Sequence, residues 1–381
     1  MPKTKVGIAR CSDYDQARVF AAIREACERA GGIEFNAGSN VLIKPNLLRV
    51  APIERGVITH PEVLRATIRL VKELGAKPFV AELPGIGPAS HTEESIAPAK
   101  EVCAQEQVEF RLFKQNGFRK IDIDGACLKE LHLPNDIFEA DYIINLPKLK
   151  THMLTTITGA VKNLFGCLPF SERKQVHGLG AKKDFANTLL DILSAVKPDF
   201  AIIDGIDAME GHGPSNGNIV RLGYIIAGKD SVAVDAVGCK LAGWNPQKIE
   251  HLALADPRGL GVSDLSQIEI VGDAKVKRPR LALPPTLTKN APAWAHKLAY
   301  KLWSVKPKIL VDKCTGCATC AAACPGGAIT IIKEKACINY DNCIECFCCK
   351  ELCPSDAVGE KLGLVTQVMQ IFESLQKRGS L

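Results

Sequence analysis

The sequence contains no run of about 18 consecutive apolar residues, so no membrane-crossing helix is expected. Residues 1–15 alternate charges without an apolar stretch, so an export signal is not recognised and the expected compartment is a reducing cytoplasm. No glycine-rich dinucleotide fingerprint is followed by an acidic residue at the right distance, and no phosphate-loop template matches. NAD and FAD are therefore not expected. Residues 1–272 hold no repeat of period 20–50 and no low-complexity tract. A basic folded face is missing as well. The net charge of +6 divides into −1 over 1–272, +8 over 273–308 and −1 over 309–381. The basicity belongs to one short junction, which argues against nucleic acid as a partner.

What the chain has in abundance is cysteine, sixteen in all. Cys314-x2-Cys317-x2-Cys320-x3-Cys324-Pro325 is followed by Cys343-x2-Cys346-x2-Cys349-x3-Cys353-Pro354. This is the bacterial ferredoxin spacing, in which three cysteines hold one cubane and the fourth reaches to the other cluster. The expected sets are Cys314, Cys317, Cys320 and Cys353 for one [4Fe-4S] cluster, and Cys343, Cys346, Cys349 and Cys324 for a second. Thiolates so closely spaced meet one cluster only if the loop curls, which small Gly316 and Ala318 permit, while each proline sends the fourth thiolate away. Ala328–Ile332 should be a short strand. A disulfide framework does not suit an unexported chain of this size, and zinc usually takes two separated pairs. Cys11, Cys27, Cys103, Cys127, Cys167 and Cys239 are scattered and read as small buried residues. Cys337 and Cys348 fall outside the spacing. The segment resembles a two-cluster ferredoxin domain.

With 46% hydrophobic residues the chain can bury a sizeable core, and residues 1–272 alternate strand and helix. Strands are expected at Val41–Ile43, Pro78–Glu82, Glu109–Phe113, Asp141–Leu146, Phe200–Asp204, Arg221–Ala227 and Gln267–Val271. Helices are expected at Pro61–Leu74, Glu93–Gln107, Thr155–Phe165, Asp184–Val196 and Ser231–Leu241. The fold class is thus α/β, a mostly parallel sheet with helices on both faces. A small α+β ferredoxin-like domain at 309–358 and a closing helix at 359–381 follow.

Polar residues gather at predicted strand ends: Lys44 and Asn46, Glu82, Lys148 and Lys150, and Asp204. In open α/β sheets the ligand crevice lies along that edge, although any one of them alone reads equally as a loop residue. In Lys148-Leu149-Lys150-Thr151-His152 an extended chain puts Lys148, Lys150 and His152 on one face. The next helix would carry Thr158, Gly159 and Lys162 opposite its apolar face, with Asn163 at the margin. Converging lysines favour an anionic substrate such as a phosphate or carboxylate. His152, Lys150, Lys162 and His212 are candidate catalytic residues; Lys44, Asn46, Lys148, Asn163, Asp204 and Glu210 are candidate substrate ligands. The glycine-rich stretch 204–214 reads as a loop in which Asp207, Glu210 and His212 suit a divalent metal or proton transfer. His177 lies in a loop that suits a lid.

Lys44-Pro45-Asn46, Leu146-Pro147-Lys148-Leu149-Lys150-Thr151-His152, Thr158-Gly159-Ala160-Val161-Lys162-Asn163-Leu164-Phe165-Gly166 and Asp204-Gly205 with Glu210-Gly211-His212-Gly213-Pro214 together resemble the family catalogued as domain of unknown function 362. The resemblance covers roughly residues 3–272. It implies an architecture often fused to a two-cluster ferredoxin module and an anaerobic redox setting, without a settled reaction.

The proline-containing junction 273–308 reads as a spacer. Within it Trp294, Ala295, Leu298, Ala299 and Leu302 form an apolar stripe opposite Lys297 and Lys301, suited to packing the two domains together. The same helix also suits peripheral contact with a membrane surface or an acidic redox partner. The expected function is an iron–sulfur oxidoreductase passing electrons between its clusters and a small anionic substrate. The alternatives are a non-enzymatic electron-transfer adapter docking a larger redox complex, and cluster or metal delivery.

Overall fold

The computed structural model describes residues 3–48, 51–84, 89–152, 154–169, 172–173, 175–176, 182–211, 213–215, 217–272, 274–275, 280–283, 305–322, 324, 327–343, 349, 353, 355 and 357–362. The chain divides into two compact units, one comprising Met1–Pro169 and Leu179–Pro285, the other Phe170–Gly178 and Thr286–Leu381.

The first unit is α/β. Its strands are β1 (Thr4–Arg10), β2 (Asn40–Pro45), β3 (Lys77–Glu82), β4 (Phe110–Leu112), β5 (Phe118–Asp122), β6 (Glu130–Pro134), β7 (Tyr142–Leu146), β8 (Lys148–His152), β9 (Thr156–Thr158), β10 (Phe200–Glu210), β11 (Asn218–Gly228) and β12 (Ile268–Val271). The main sheet runs β12-β1-β11-β10-β7-β2-β3-β4, with β8 beside β10 and β9 beside β8. Pairing is parallel from β10 through β7, β2 and β3 to β4, and again between β1 and β12. β11 is antiparallel to both its neighbours. The sheet is therefore mostly parallel, as its near-continuous apolar strands lead one to expect. β5 and β6 form a separate hairpin.

Helices α1 (Gln16–Arg29), α2 (Pro61–Glu73) and α3 (Ala89–Gln105) cover one face, where Val19, Ile23, Ile68 and Ile96 meet Val41, Ile43 and Ile202 in a common core. Local chemistry sets the helix starts: Asp15 caps α1 by accepting from Arg18 N, and His60 caps α2 ahead of Pro61. From β2, α2 and α3 carry the chain outward to β3 and β4, whereas β7 returns to the other side of β2. The order thus reverses between β2 and β7. In open α/β sheets the crevice lies outside the carboxyl ends of the strands flanking such a reversal, and Lys44–Asn46 and Pro147–Lys148 sit there.

Two expected elements differ. The chain from Thr155 to Phe165 is not one helix: Thr156–Thr158 is strand β9 against β8, and a helix follows only at Ala160–Asn163, with a tight turn at Leu164–Cys167. The β-branched Thr156, Ile157 and Thr158 suit a pleated pairing, and Gly159 is extended. Nor does a strand end at Asp204. β10 continues to Glu210 and pairs antiparallel with β11, with a bulge between Gly205 and Asp207. The stretch read as a glycine-rich loop is mostly a long strand.

Residues 280–283 belong to the first unit rather than to a free spacer. Leu281 N donates to Ala242 O at 3.0 Å, the Trp244 indole donates to Leu281 O at 2.8 Å, and Ala282 N donates to Glu210 Oε2 at 2.7 Å. The Trp294–Leu302 stripe, the 170–183 lid around His177, and the tail beyond 362 fall largely or wholly outside the described residues.

In the second unit β13 (Val305–Ile309) pairs antiparallel with β16 (Val358–Leu362), and β14 (Ile329–Ile332) with β15 (Lys335–Ile338). Residues 305–308 and 359–362, assigned from sequence to the linker and to a closing helix, are thus partner strands. Pro307 is tolerated because β13 has a neighbour on one side only.

Packing of α1 on β1 is closest at Gly7, where an added Cβ would lie 2.0 Å from Ala26 O and 2.6 Å from Ala30 N. Gly7→Ala is expected to lower unfolding stability by about 3 kcal/mol, read as a reduced urea midpoint at unchanged m-value. A midpoint equal to that of the parent would show that α1 does not sit against β1 as described.

Candidate functional site

Around the carboxyl ends of β2 and β7 the structure brings together four chain segments that are remote in sequence. Lys148 Nζ donates to Asp204 Oδ2 at 2.9 Å and to Tyr14 Oη at 2.6 Å, and both charged side chains are fully buried. Tyr14 Oη in turn donates to Asp204 Oδ1 at 3.0 Å, and the backbone amide of His60 donates to Asp204 Oδ2 at 3.0 Å. The His60 ring stacks on Tyr14 with centroids 3.5 Å apart. Burial, reinforced by the Asp204 charge, drives the Tyr14 phenol far above its ordinary range, so it stays protonated. Sequence reading missed Tyr14 and His60, since neither stands in a recognisable motif. Their one signal is position: His60 directly precedes the Pro61 that opens α2.

Lys44 forms a second buried pair, 2.5 Å from Glu82 Oε2. Gly166 explains its own presence here, because a Cβ at that position would lie 2.7 Å from Glu82 Oε1 and 2.8 Å from Lys44 Nζ. Gly159 does the same for Asp235, whose carboxylate accepts from Ala160 N at 2.6 Å and Val161 N at 3.0 Å and would meet a Gly159 Cβ at 2.1 Å. Burial raises the Asp235 carboxyl to about 7 despite those two amides. Asn163 Nδ2 donates to Asn145 Oδ1 at 2.8 Å and faces the carbonyls of Lys44 and Pro45, tying the helical turn to β2 and β7.

Lys150 differs from both paired lysines. It is buried, and its Nζ donates to Asn46 Oδ1 at 2.8 Å and Val57 O at 2.6 Å, neither of them charged. Burial first, then the charges of Lys148 and Lys162, hold its amine well below the usual lysine range. Lys162 is half-buried with its ammonium over the rings of Phe165 and Phe185, at 5.0 and 5.3 Å.

Other candidates have structural work. His152 Nδ1 accepts from Leu154 N at 3.1 Å and Thr155 N at 3.3 Å, closing the turn between β8 and β9. Asp207 pairs with Arg221 and Glu210 takes the Ala282 amide. Three apart on a regular stretch of strand, these two carboxylates face opposite ways and do not form the expected metal pair. Around Asp207 and Glu210 no group of three or more His, Cys, Asp or Glu arranged to hold a metal ion stands among the described residues. His212 lies outside them. Of the three expected lysines, Lys44 and Lys148 are paired with Glu82 and Asp204 at close range.

In the second unit Cys314, Cys317, Cys320 and Cys353 line one hollow, together with Ile309, Gly316, Ile331 and Val358. Gly316 adopts φ +67°, and a Cβ there would lie 2.3 Å from Glu334 O, so the loop closes only with glycine. Ala318 also has positive φ, at 63°. Ala336 N donates to Cys314 Sγ at 3.4 Å and Ala357 N to Cys353 Sγ at 3.2 Å, while Ala328 N donates to Cys324 Sγ at 3.3 Å. Four thiols around one cavity, with amides aimed at sulfur, suit an iron–sulfur cluster. Cys343 and Cys349 both lie near enough to Tyr340 to raise its phenol, after burial. Cys346 and Cys348 lie outside the described residues, and Cys337 is exposed. Of the scattered cysteines, all but half-buried Cys127 are buried.

His60 has a measurable consequence. Burial lowers its imidazole from 6.5 to about 4. Below pH 6.5 the unfolded chain takes up a proton that the folded chain refuses, so stability falls as pH drops from about 6.5 to 4. After discounting for partial exposure this is worth about 2 kcal/mol. His60→Asn, which keeps a capping side chain, is expected to flatten that part of the stability–pH curve. An unchanged curve would place His60 in solvent.

Comparison with known proteins agrees with this division. The family described as "Domain of unknown function (DUF362)" matches residues 41–240, and the "4Fe-4S dicluster domain" matches residues 306–354. The chain is 36% identical over 262 residues to the "Thylakoid-associated protein sll1697" of Synechocystis sp., covering 67% of this chain and 79% of that one. Among solved structures, the lactate racemase apoprotein from Thermoanaerobacterium thermosaccharolyticum aligns with a TM-score of 0.39 and 17% identity, over 62% of this chain and 57% of that one. No helix among the described residues is long and apolar enough to cross a membrane. An α/β unit carrying the Lys-x-Asn, Lys-x-Lys-x-His and Gly-Ala-Val-Lys-Asn-Leu-Phe-Gly segments around a buried Lys–Asp–Tyr cluster, continued by a 4Fe-4S ferredoxin-type domain, belongs to the DUF362 family.

Proposed function

We propose that this chain is a two-cluster iron–sulfur redox protein that exchanges single electrons with a small molecule handled by the α/β unit. The observation carrying this reading is the hollow bounded by Cys314, Cys317, Cys320 and Cys353, which unites three thiols of the first run with the last thiol of the second. That combination is what cluster exchange between ferredoxin runs requires. Cys343, Cys346, Cys349 and Cys324 would hold the second cluster. A bound cluster supplies one-electron chemistry, and the chain's own residues set its surroundings.

In the α/β unit, substrate reduction also needs protons. Lys150 is suited to managing them, because an amine held neutral by burial carries a basic lone pair at neutral pH. Its two donors go to Asn46 and Val57, the number of N–H groups that a neutral amine possesses. The Lys148–Tyr14–Asp204 cluster keeps strand β8 fixed beneath it. Because Glu82 and Asp204 neutralise two of the three lysines, the substrate need not be strongly anionic.

An electron carrier serving a separate redox protein is the second reading. It is favoured by Cys317, which is exposed where the other cysteines of its set are half-buried or buried.

Anaerobically purified protein is expected to hold roughly eight iron and eight sulfide per chain. Cys314→Ser and Cys353→Ser should abolish the same reduced-cluster EPR signal, and Cys324→Ser and Cys343→Ser the other. Loss of a common signal from Cys353→Ser and Cys343→Ser would overturn the ligand sets. For Lys150, the unfolded chain binds a proton below its ordinary pKa of about 10.4 that the folded chain does not, so stability should climb as pH rises toward 10. Lys150→Met is expected to remove that slope and to raise stability at pH 7. A variant with the parental slope would mean that Lys150 is charged in the fold.

A further inference from the structure

Residues 57–60 are laid across the carboxyl ends of β2 and β7 by the contacts of Thr59. Thr59 N donates to Asn46 O at 2.9 Å, Asn46 N donates to Thr59 Oγ1 at 2.9 Å, and Thr59 Oγ1 donates to Leu146 O at 2.7 Å. In the same short segment Val57 O accepts from Lys150, and the His60 amide donates to Asp204. His60 therefore stands at the strand ends, beside the buried groups already described.

The His60 ring is restrained twice. Its Nδ1 accepts from Glu62 N at 3.1 Å, capping α2, and its plane lies 7° from that of Tyr14 with centroids 3.5 Å apart. Tyr14 is fixed in turn, because its hydroxyl donates to Asp204 and accepts from Lys148 Nζ and, at 3.1 Å, from Asp207 N. An imidazole whose Nδ1 accepts an amide hydrogen carries its proton on Nε2 and is neutral. Burial, which lowers the ring to about 4, keeps it so at physiological pH. Among the described residues Nε2–H has no acceptor, and it is not one of the side-chain atoms sealed from solvent without a partner. Capping alone does not call for this side chain, since serine, threonine, aspartate or asparagine would cap α2 as well. What histidine adds is a second nitrogen, aimed by the first.

We infer that His60 Nε2–H is a binding donor for an uncharged carbonyl oxygen, that of an aldehyde, ketone or amide taken up by the α/β unit. This deepens the small-molecule reading above and rests on it. The charges around the ring select the class. Asp204, Glu62 and Asp207 all bear on His60, and Lys148 opposes them. Asp204 is paired with Lys148, Asp207 with Arg221 and Glu62 with Arg65, so these cations are already engaged. A carboxylate or phosphate at Nε2 would meet three carboxylates and a donor that carries no charge. A carbonyl dipole costs far less to bring there and gains one oriented hydrogen bond. Because the ring is held before the ligand arrives, little ordering is left to oppose binding.

The test is NMR of the full-length, cluster-loaded protein carrying isotopically labelled histidine. His60 is one of eight histidines, and its signals are those missing from His60→Ser, in which a hydroxyl takes over the cap. Long-range nitrogen–proton spectra of the parent are expected to show the Nε2–H tautomer at neutral pH. The Nδ1–H tautomer or a charged ring would overturn the inference. Acetone and acetamide are then titrated as uncharged carbonyl probes, with acetate and inorganic phosphate as anions. The carbonyl probes should move the His60 Nε2 signal. Saturation transfer to the probe should give a dissociation constant about tenfold weaker in His60→Ser, the loss of one hydrogen bond. A response to the anions alone, no response to any probe, or equal affinity in His60→Ser would each overturn it. Iron content and EPR on the same sample keep the two readings apart. Two intact cubanes beside an unresponsive His60 sink only this inference. A responsive His60 in protein that binds no cluster would sink the redox reading and leave the carbonyl site in place.

Discussion

The α/β unit depends on one buried carboxylate. Asp204 lies in the middle of the sheet, fully excluded from solvent, and collects Lys148, Tyr14, the His60 amide and the Ile206 amide on its two oxygens. A buried carboxyl group so placed is tolerated only when paired and fully hydrogen-bonded. Its partners therefore dictate geometry. β8 must run beside β10 to deliver Lys148, the chain after β1 must bring Tyr14 inward, and the segment before α2 must present its backbone at His60. The bulge after Gly205 belongs to the same arrangement, since it turns the Ile206 amide toward Asp204.

A second theme is that small residues make room for charge. Gly159 and Gly166 bracket the helical turn that carries Lys162 and Asn163, and each faces a buried carboxylate, Asp235 at one end and Glu82 at the other. The motif is a backbone lying flat against two acids. Its asparagine joins the strands on either side of the reversal point through Asn145 and the carbonyls of Lys44 and Pro45. The result is a rigid floor, in which Lys150 is a cation-forming group left without an acid. The contrast between two lysines paired with acids and one facing only uncharged acceptors, its pKa lowered by burial, gives the site its chemical character. In the second unit the same economy recurs: Gly316 lets the first cysteine loop curl against the β14–β15 turn, and apolar Ile309, Ile331 and Val358 close the hollow around the thiols.

Much of this was legible in the residues. The cysteine spacing pointed to 4Fe-4S binding in the C-terminal unit, because a cubane imposes its own geometry on the loop that wraps it. Lys44, Asn46 and Lys148 stood out because parallel strands display their carboxyl ends together, where ligands of such sheets bind. What failed did so for physical reasons. Thr155–Phe165 has an apolar repeat that fits a helix, but pairing of Thr156–Thr158 with β8 outweighs it, and local periodicity carries no information about a partner strand. Asp204–Glu210 reads as a turn because of its glycine and acids, yet β11 supplies a full antiparallel neighbour. β13 was missed although Val305, Pro307 and Ile309 alternate with lysines, since so short an alternation beside prolines also fits a linker.

The sequence by itself determined the fold class, the iron–sulfur chemistry of the C-terminal unit and the identity of the polar groups at the sheet edge. Those follow from spacing and periodicity, which are properties of the chain. Only the tertiary structure decided what each polar group is worth. Whether a lysine is a cation, half of a neutral pair or a neutral amine depends on which carboxylate reaches it and how much water is excluded. Those partners come from positions as distant as Tyr14 and Asp204, where no local pattern connects them. Lys44, Lys148 and Lys150 look alike in the sequence and differ in the fold because burial forces each one to find its own compensation.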